Sequence, residues 1–332
     1  MTPRPPVTPR LVVSCVAENR PDWHARAYNL ALSSLTVCSG SATRFVAHFV
    51  DGVDPAARQR IESLGAEVRV VDRVDRRSPY LNKLRMLELG SAGDFDVLAA
   101  LDCDTIIVRD LQPHLSLDSV GAKPADIDRL TPEQWRRLYD ALGLARPTGS
   151  FIATSSGQRM GPYFNSGVLL IPRAYCASLL AAWTEMSDRI LAVYRQYPTI
   201  VPQQWRFHLD QYSLACALAA AAIPVRALPS ELNYPVHVSV SPAARGAIDP
   251  VILHYHKNVT PDGFLTRSRD KTLNPYLHAF NLQRAAALDI GYAALPRLPV
   301  KTRVRRTLHR GRRIVRTAAE GARSRIPARA GT

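Results

Sequence analysis

The stretch Val97-Leu98-Ala99-Ala100-Leu101-Asp102-Cys103-Asp104-Thr105-Ile106-Ile107-Val108 decides how the chain is read. An apolar run enters, two aspartates stand one residue apart, and an apolar run leaves. A hydrophobic run without polar alternation predicts a strand covered on both faces, the central strand of an α/β sheet. Carboxylates are rarely buried without partners, so the chain must bring Asp102 and Asp104 to an edge or supply a cation. On extended backbone, positions i and i+2 point to the same side. Two carboxylates converging at the carboxyl end of a parallel strand suit a hard divalent cation. That end is also where open α/β sheets bind ligands. The alternative is that both aspartates cap a turn between two strands; the flanking core strands favour the metal.

Working outward, the upstream chain alternates strands and helices. Leu11–Ala17 is an apolar strand ending at Glu18-Asn19, and a helix pattern runs from about His24 to Cys38. Arg44–Val50 is a second strand. Asp54-Pro55 opens a helix, with aspartate as N-cap and proline at the first helical position. Gly65 ends it, Glu67–Val71 makes a third strand, and Tyr80–Leu89 is a short helix stopped by Gly90. The β-α-β-α-β-α-β order predicts a parallel, doubly wound sheet. No glycine-rich loop follows the first strand, which argues against dinucleotide-binding and P-loop folds.

Downstream, regularity is lost across 113–163, apart from a short helix near Thr131–Leu142. Such a long insertion at the carboxyl edge of a sheet is the natural place for a second substrate. Tyr163–Pro172 restores an apolar strand, opened by an Asn165-Ser166-Gly167 turn. Tyr175–Tyr194 and His208–Ala222 read as helices, and Pro224–Leu228 and Val251–Tyr255 as strands.

The chain has 332 residues, 46% of them hydrophobic, and a formal net charge of +15. The charge is uneven: from Arg297 onward twelve Lys and Arg face Glu320 alone, leaving 31 basic and 27 acidic residues upstream. A uniformly basic nucleic-acid-binding domain is therefore not indicated. Cys15, Cys38, Cys103, Cys176 and Cys216 lie singly in apolar segments, the pattern of reduced, buried thiols in a cytoplasmic protein. Met1–Arg10 is proline-rich without an apolar core, so it reads as a disordered terminus and not as a signal peptide. No segment has the length of a membrane-spanning helix.

Four landmarks in order, Leu101-Asp102-Cys103-Asp104, Phe164-Asn165-Ser166-Gly167-Val168, Asp210-Gln211 and Leu253-His254-Tyr255-His256-Lys257, resemble a glycosyltransferase family. It is the retaining group that includes glycogenin and the bacterial lipooligosaccharide galactosyltransferases, glycosyltransferase family 8. The resemblance covers about residues 11–280 and implies an α/β GT-A fold, a Rossmann-like nucleotide-diphospho-sugar transferase with a central, mostly parallel sheet flanked by helices. It places the catalytic domain at 11–296, with 113–163 as an acceptor-side insertion and 297–332 as a basic tail. It implies hexose transfer from a nucleotide sugar, a UDP-hexose, to a glycan, lipid-linked or other hydroxyl acceptor, with retention of configuration.

In the family's pattern Asp102 and Asp104 hold Mn²⁺ or Mg²⁺, which bridges the donor's phosphates. A late histidine completes the shell: His254, which directly follows the apolar strand, or His256. Lys257 resembles the phosphate-contacting lysine, although the family's histidine-to-lysine spacing is longer, and Lys271 is its substitute. Ala17, Glu18 and Asn19 fall where the family binds base and ribose, unless the latter two only cap the turn. Lys83 resembles the residue reaching the donor from the helix before the metal strand; a helical lysine facing water is the plain alternative. Cys103, Asn165 and Ser166 belong to the nucleotide-sugar contacts. Asp210 and Gln211 resemble the pair beside the anomeric carbon, Gln211 supporting an oxocarbenium-like centre and Asp210 holding sugar hydroxyls. Asp210 also suits a helix N-cap.

A haloacid-dehalogenase-type phosphatase is the rival, because Asp102-Cys103-Asp104-Thr105 fits its first motif, with Asp102 as nucleophile and Asp104 as acid. Against it, three strands precede the motif, and no later acidic pair finishes a Mg²⁺ site. The tail carries Val300, Val304 and Leu308 among arginines, a pattern for an anionic membrane surface on the inner face or for non-specific attraction to nucleic acid.

Overall fold

The structure, a computed structural model, describes residues 8–38, 43–91, 93–126, 128, 130–152, 157, 159–196, 208–237 and 249–297. The expectations for the tail beyond Arg297 lie outside these residues. Arg10, counted above with the disordered terminus, is tied down: its backbone N–H donates to Asp96 at 2.8 Å.

The chain opens β1 (Leu11–Glu18), α1 (Pro21–Val37), β2 (Arg44–Val50), α2 (Pro55–Glu62) and β3 (Glu67–Val71). Asp54 caps α2 as expected, accepting from the Ala57 N–H at 2.9 Å. The expected Tyr80–Leu89 helix is instead a string of short turns, 3₁₀ at Pro79–Lys83 and Glu88–Ser91 around α3 (Leu84–Leu87). Their apolar side chains are buried all the same, since Leu81, Leu84, Met86 and Leu87 are each at most 3% exposed.

The opening stretch is not one strand. β4 (Val97–Leu101) ends at the aspartates, and β5 (Thr105–Ile107) belongs to a second sheet. Between them the Thr105 N–H closes a turn on the Asp102 carbonyl at 3.1 Å. A turn, and not the alternation of an extended strand, therefore presents the two carboxylates.

The segment 113–163 is also more regular than expected. It holds β6 (Val120–Pro124), α4 (Pro132–Ala141) and a hairpin of β7 (Phe151–Ile152) and β8 (Arg159–Met160). β6 is a buried strand of the main sheet, a role that its Gly-Ala-Lys-Pro composition hides. There follow β9 (Phe164–Pro172), α5 (Arg173–Gln196), α6 (Leu209–Ala220), β10 (Val225–Ala227), β11 (Tyr234–Pro235), β12 (Ile252–His254) and α7 (Asn274–Ala287).

The main sheet has the order β10-β6-β9-β4-β1-β2-β3. It is mostly parallel, as expected: β1, β2, β3 and β4 pair in parallel, whereas β9 runs antiparallel to both β4 and β6. Asn165-Ser166-Gly167, expected as a turn, lies inside β9. Reversal of β9 sets these residues beside the end of β4: Leu101 pairs with Val168, and the Asp102 N–H donates to the Gly167 carbonyl at 2.8 Å. The second sheet, β11-β12-β5, pairs His254 with Thr105.

Both faces of the main sheet are covered. Leu98 and Ala100 of β4 join a core with Trp135, Leu179, Trp183 and Leu214 from the helices of one layer. Val97, Ala99 and Leu101 join the other, with Leu30, Ala31, Leu277 and Phe280. This two-sided burial explains the run without polar alternation, each such aliphatic side chain being worth about 1.5–3 kcal/mol. All five cysteines are buried thiols.

One polar pair sits within this core. His48 on β2 is 2% exposed and contacts the Ser14 hydroxyl at 3.2 Å. Burial pushes the His48 pKa down to about 4, so the folded chain holds it neutral. The unfolded chain takes up this proton near pH 6.5, so the stabilisation is complete above that pH and is lost as pH falls toward 4, amounting to about 3 kcal/mol. Urea unfolding from pH 7 to 4 should show a steeper loss of stability in the wild type than in His48→Asn. Parallel curves would remove His48 as a source of acid lability.

Candidate active site

The site lies at the carboxyl ends of β1 and β4, where the two sheets meet. Lys83, from the turn before α3, is 7% exposed and is surrounded by acceptors. Its Nζ lies 2.7 Å from Asp102 Oδ1 and 3.2 Å from Asp210 Oδ2, and donates to the Ser166 hydroxyl at 3.0 Å. Burial alone would lower the ammonium pKa; the two carboxylates outweigh it and the net shift is upward. The helical lysine thus faces inward and not toward water.

Asp210, in the first turn of α6, is 2% exposed. Its Oδ2 accepts from Ser166 and Lys83, whereas its Oδ1 is buried with no hydrogen-bond partner among the described residues. Neither oxygen caps the helix. Next to it, Gln211 Oε1 accepts from the Tyr163 hydroxyl at 2.9 Å.

Asp104 faces histidines. His254 Nε2 lies 3.1 Å from its Oδ1, and His256 Nδ1 lies 3.5 Å from its Oδ2. The two imidazoles stack at 3.8 Å, with His256 held at a positive φ of 47° just after the strand. Asp104, His254 and His256 each bring one ligand atom to within 4.8 Å of the others. Asp102 Oδ2 stands 3.9 Å from His254 Nε2. Burial disfavours a charged His254 and Asp104 more than offsets it, so its pKa is raised. The pocket around Nε2 therefore favours positive charge.

The orientation of His254 follows from a chain of amides. The Gly167 N–H, which can only donate, bonds Asn165 Oδ1 at 2.7 Å, and Asn233 Nδ2 donates to the same oxygen at 3.1 Å. Asn233 must then present its Oδ1 to His254 Nδ1, 2.9 Å away. So Nδ1 carries a proton and Nε2 faces the aspartates, the support a ligating histidine needs. Gly167 is required here: a Cβ on it would fall 2.7 Å from Asp102 Oδ2 and 3.0 Å from His254 Cε1.

The structure thus brings together Lys83, Asp102, Asp104, Asn165, Ser166, Asp210, His254 and His256, with Gln211 adjoining. Ala17 and Cys103 have their side chains in the core. Glu18 is gripped by both terminal nitrogens of Arg73, at 2.9 and 2.6 Å, and Asn19 Oδ1 meets His24 Nε2 at 2.9 Å. Lys257 and Lys271 are exposed. Sequence reasoning missed Asn233, Arg73 and Arg26, whose Nη1 lies 3.8 Å from Asp104 Oδ2.

The fold is GT-A, and this enzyme is a glycosyltransferase. A family model described as the Rhodobacterales glycosyltransferase domain matches residues 29–222, and the chain belongs to that family. No curated protein matches the chain. Among solved structures, one of the galactosyltransferase LgtC in complex with donor and acceptor sugar analogs is similar, at 18% identity and TM-score 0.50, covering 85% of this chain and 97% of that one. An active-site mutant of LgtC matches at the same identity and TM-score, covering 88% and 99%. The phosphatase alternative falls with this membership, and the motif follows the fourth strand of the chain and not the first.

Lys83 neutralises the buried Asp210 and the half-buried Asp102, so Lys83→Met should cost about 3 kcal/mol in urea unfolding. Asp210→Asn added to it should recover part of that loss. If Lys83→Met is as stable as wild type, the triad is not a structural constraint.

Proposed function

We propose that the enzyme moves a hexose from a UDP-linked donor to an acceptor hydroxyl with retention of configuration, assisted by Mn²⁺ or Mg²⁺. The observation that carries this reading is Asp210 Oδ1, a buried acceptor without a donor, in the cluster that holds Asp102. A buried lone pair of this kind is costly unless a ligand supplies the donor, and a sugar presents several hydroxyls. The donor and acceptor analogs named for the LgtC complex support the same class of ligands.

Asp102, Asp104 and His254 would hold the cation, with His256 as a further or substitute ligand. Bound there, it supplies neutralisation of charge on the departing nucleoside diphosphate, and the imidazole ligands favour Mn²⁺ over Mg²⁺. Asp210 orients the sugar through its hydroxyls, and Asn165, whose oxygen is already occupied, offers its Nδ2 donors. Gln211 supports the anomeric centre as positive charge develops. The bond from the anomeric carbon to the diphosphate breaks, and the acceptor oxygen bonds to that carbon on the same face. The acceptor's proton passes to the departing phosphate oxygen. Ala17–Asn19 form the nucleoside edge. The acceptor approaches past a cavity of about 520 Å³ lined by Trp135, Tyr139, Arg146 and Arg159, whose Trp135 wall packs on Tyr163.

Asp102→Asn and Asp104→Asn should each weaken Mn²⁺-dependent UDP binding by at least about tenfold in calorimetry, as expected when a charged ligand is lost. The wild type should slowly hydrolyse UDP-hexose without releasing phosphate from phosphomonoesters. Undiminished UDP affinity in both variants would sink the metal-assisted reading. The stereochemical part is checked separately: NMR of the first product should show an α linkage from an α-linked donor, and a β linkage would overturn retention.

A further inference from the structure

Arg26, in the second turn of α1, has no place in the reading so far. Its side chain is only 15% exposed, yet no hydrogen bond runs from it to any described residue. Its Nε is buried without a partner. Its Nη1 lies 3.8 Å from Asp104 Oδ2, which is an ion pair but too long for a hydrogen bond. The guanidinium lies 5.5 Å from the centre of the Trp23 ring, which steers it without using any donor.

Arginine is charged at any ordinary pH and carries five donors in a rigid fork. Holding that fork largely out of water without acceptors costs free energy, so it calls for an anionic partner with several oxygens. Arg284 provides the contrast: more deeply buried and likewise without a partner at Nε among the described residues, it donates from one Nη to Asn29 Oδ1 and from the other to the Asp262 carbonyl, and it serves the fold. Arg26 brings Nη1 beside Asp104 of the carboxylate cluster. Lys257, the phosphate-contacting residue that family resemblance suggests, is exposed.

We propose that Arg26 binds the diphosphate of the donor, taking on this chain the part that the exposed Lys257 does not fill. The inference rests on the donor reading above. The fork would donate to non-bridging phosphate oxygens beside Asp104, where charge builds up as the nucleoside diphosphate departs. Lys83 and Arg26 stand against Asp102, Asp104 and Asp210, so the cluster is net negative by itself and the diphosphate needs the bound cation as well as Arg26.

The test is calorimetry of the full chain with Mn²⁺, titrating UDP and, separately, uridine. Arg26→Gln should weaken UDP by about tenfold or more while leaving uridine within twofold, the loss expected for one charge-assisted contact. Arg26→Lys, which keeps the charge without the fork, should recover part of the UDP affinity, and Lys257→Gln should bind UDP like wild type. Equal loss for UDP and uridine would make Arg26 a structural residue, and unchanged UDP affinity in Arg26→Gln would remove it from the site. A tenfold loss in Lys257→Gln would return the role to the lysine. If the wild type bound no UDP at all, the donor reading itself would fall, whereas tight wild-type binding with an indifferent Arg26 overturns this assignment alone.

Discussion

The ammonium of Lys83 lies between two carboxylates, and the rest of the site is arranged around that contact. Asp102 ends a core strand and Asp210 starts a buried helix, so neither could lie there uncompensated. One cation from a short turn satisfies both, and Ser166 adds a neutral hydroxyl to the same group. Because Lys83 occupies Asp102 Oδ1, the other oxygen, Oδ2, is left toward His254. Because Lys83 and Ser166 occupy Asp210 Oδ2, its Oδ1 is left bare. The constraint that stabilises the fold thereby also decides which lone pairs remain for ligands.

A second constraint is directional. A parallel strand in the place of β9 would have set Pro172, and not Phe164–Gly167, beside the end of β4. Reversal brings Asn165, Ser166 and Gly167 against Asp102, and the absent side chain of Gly167 leaves room for a carboxylate and an imidazole. From there the amides of Asn165 and Asn233 carry the donor sense of one backbone N–H across to the second sheet and fix His254. The two sheets, which meet at the turn 102–104, are in this way joined by hydrogen bonds as well as by chain.

What could be read from the residues themselves was whatever had a local signature: Asp102 and Asp104 stand out because charges interrupt an apolar run. Lys83, Asn165, Asp210-Gln211 and the late histidine were singled out by the family resemblance, His254 within it because it directly follows an apolar strand. The alternation of strands and helices up to β4 came from apolar periodicity and turn residues alone. The direction of β9 was hidden, since a strand buried on both faces carries no mark of parallel or antiparallel pairing. β6 was hidden because glycine, alanine, lysine and proline are poor strand formers that only burial can hold there. Asn233 and Arg26 are single polar residues whose meaning lies in what the fold brings opposite them. No spacing announces either one.

The contacts at the centre of the site span long separations in the chain. Lys83 reaches Asp210 across 127 residues, and His254 reaches Asp104 across 150. Each such contact closes a long loop, whose entropy is lost before the contact can compensate for it. The active centre therefore depends on the sheet and its covering helices to hold the distant segments together. During synthesis, with the chain emerging from its N-terminus, the paired aspartates appear well before His254 and must wait for it in an unfinished fold. A correctly formed site is accordingly a report on the whole domain.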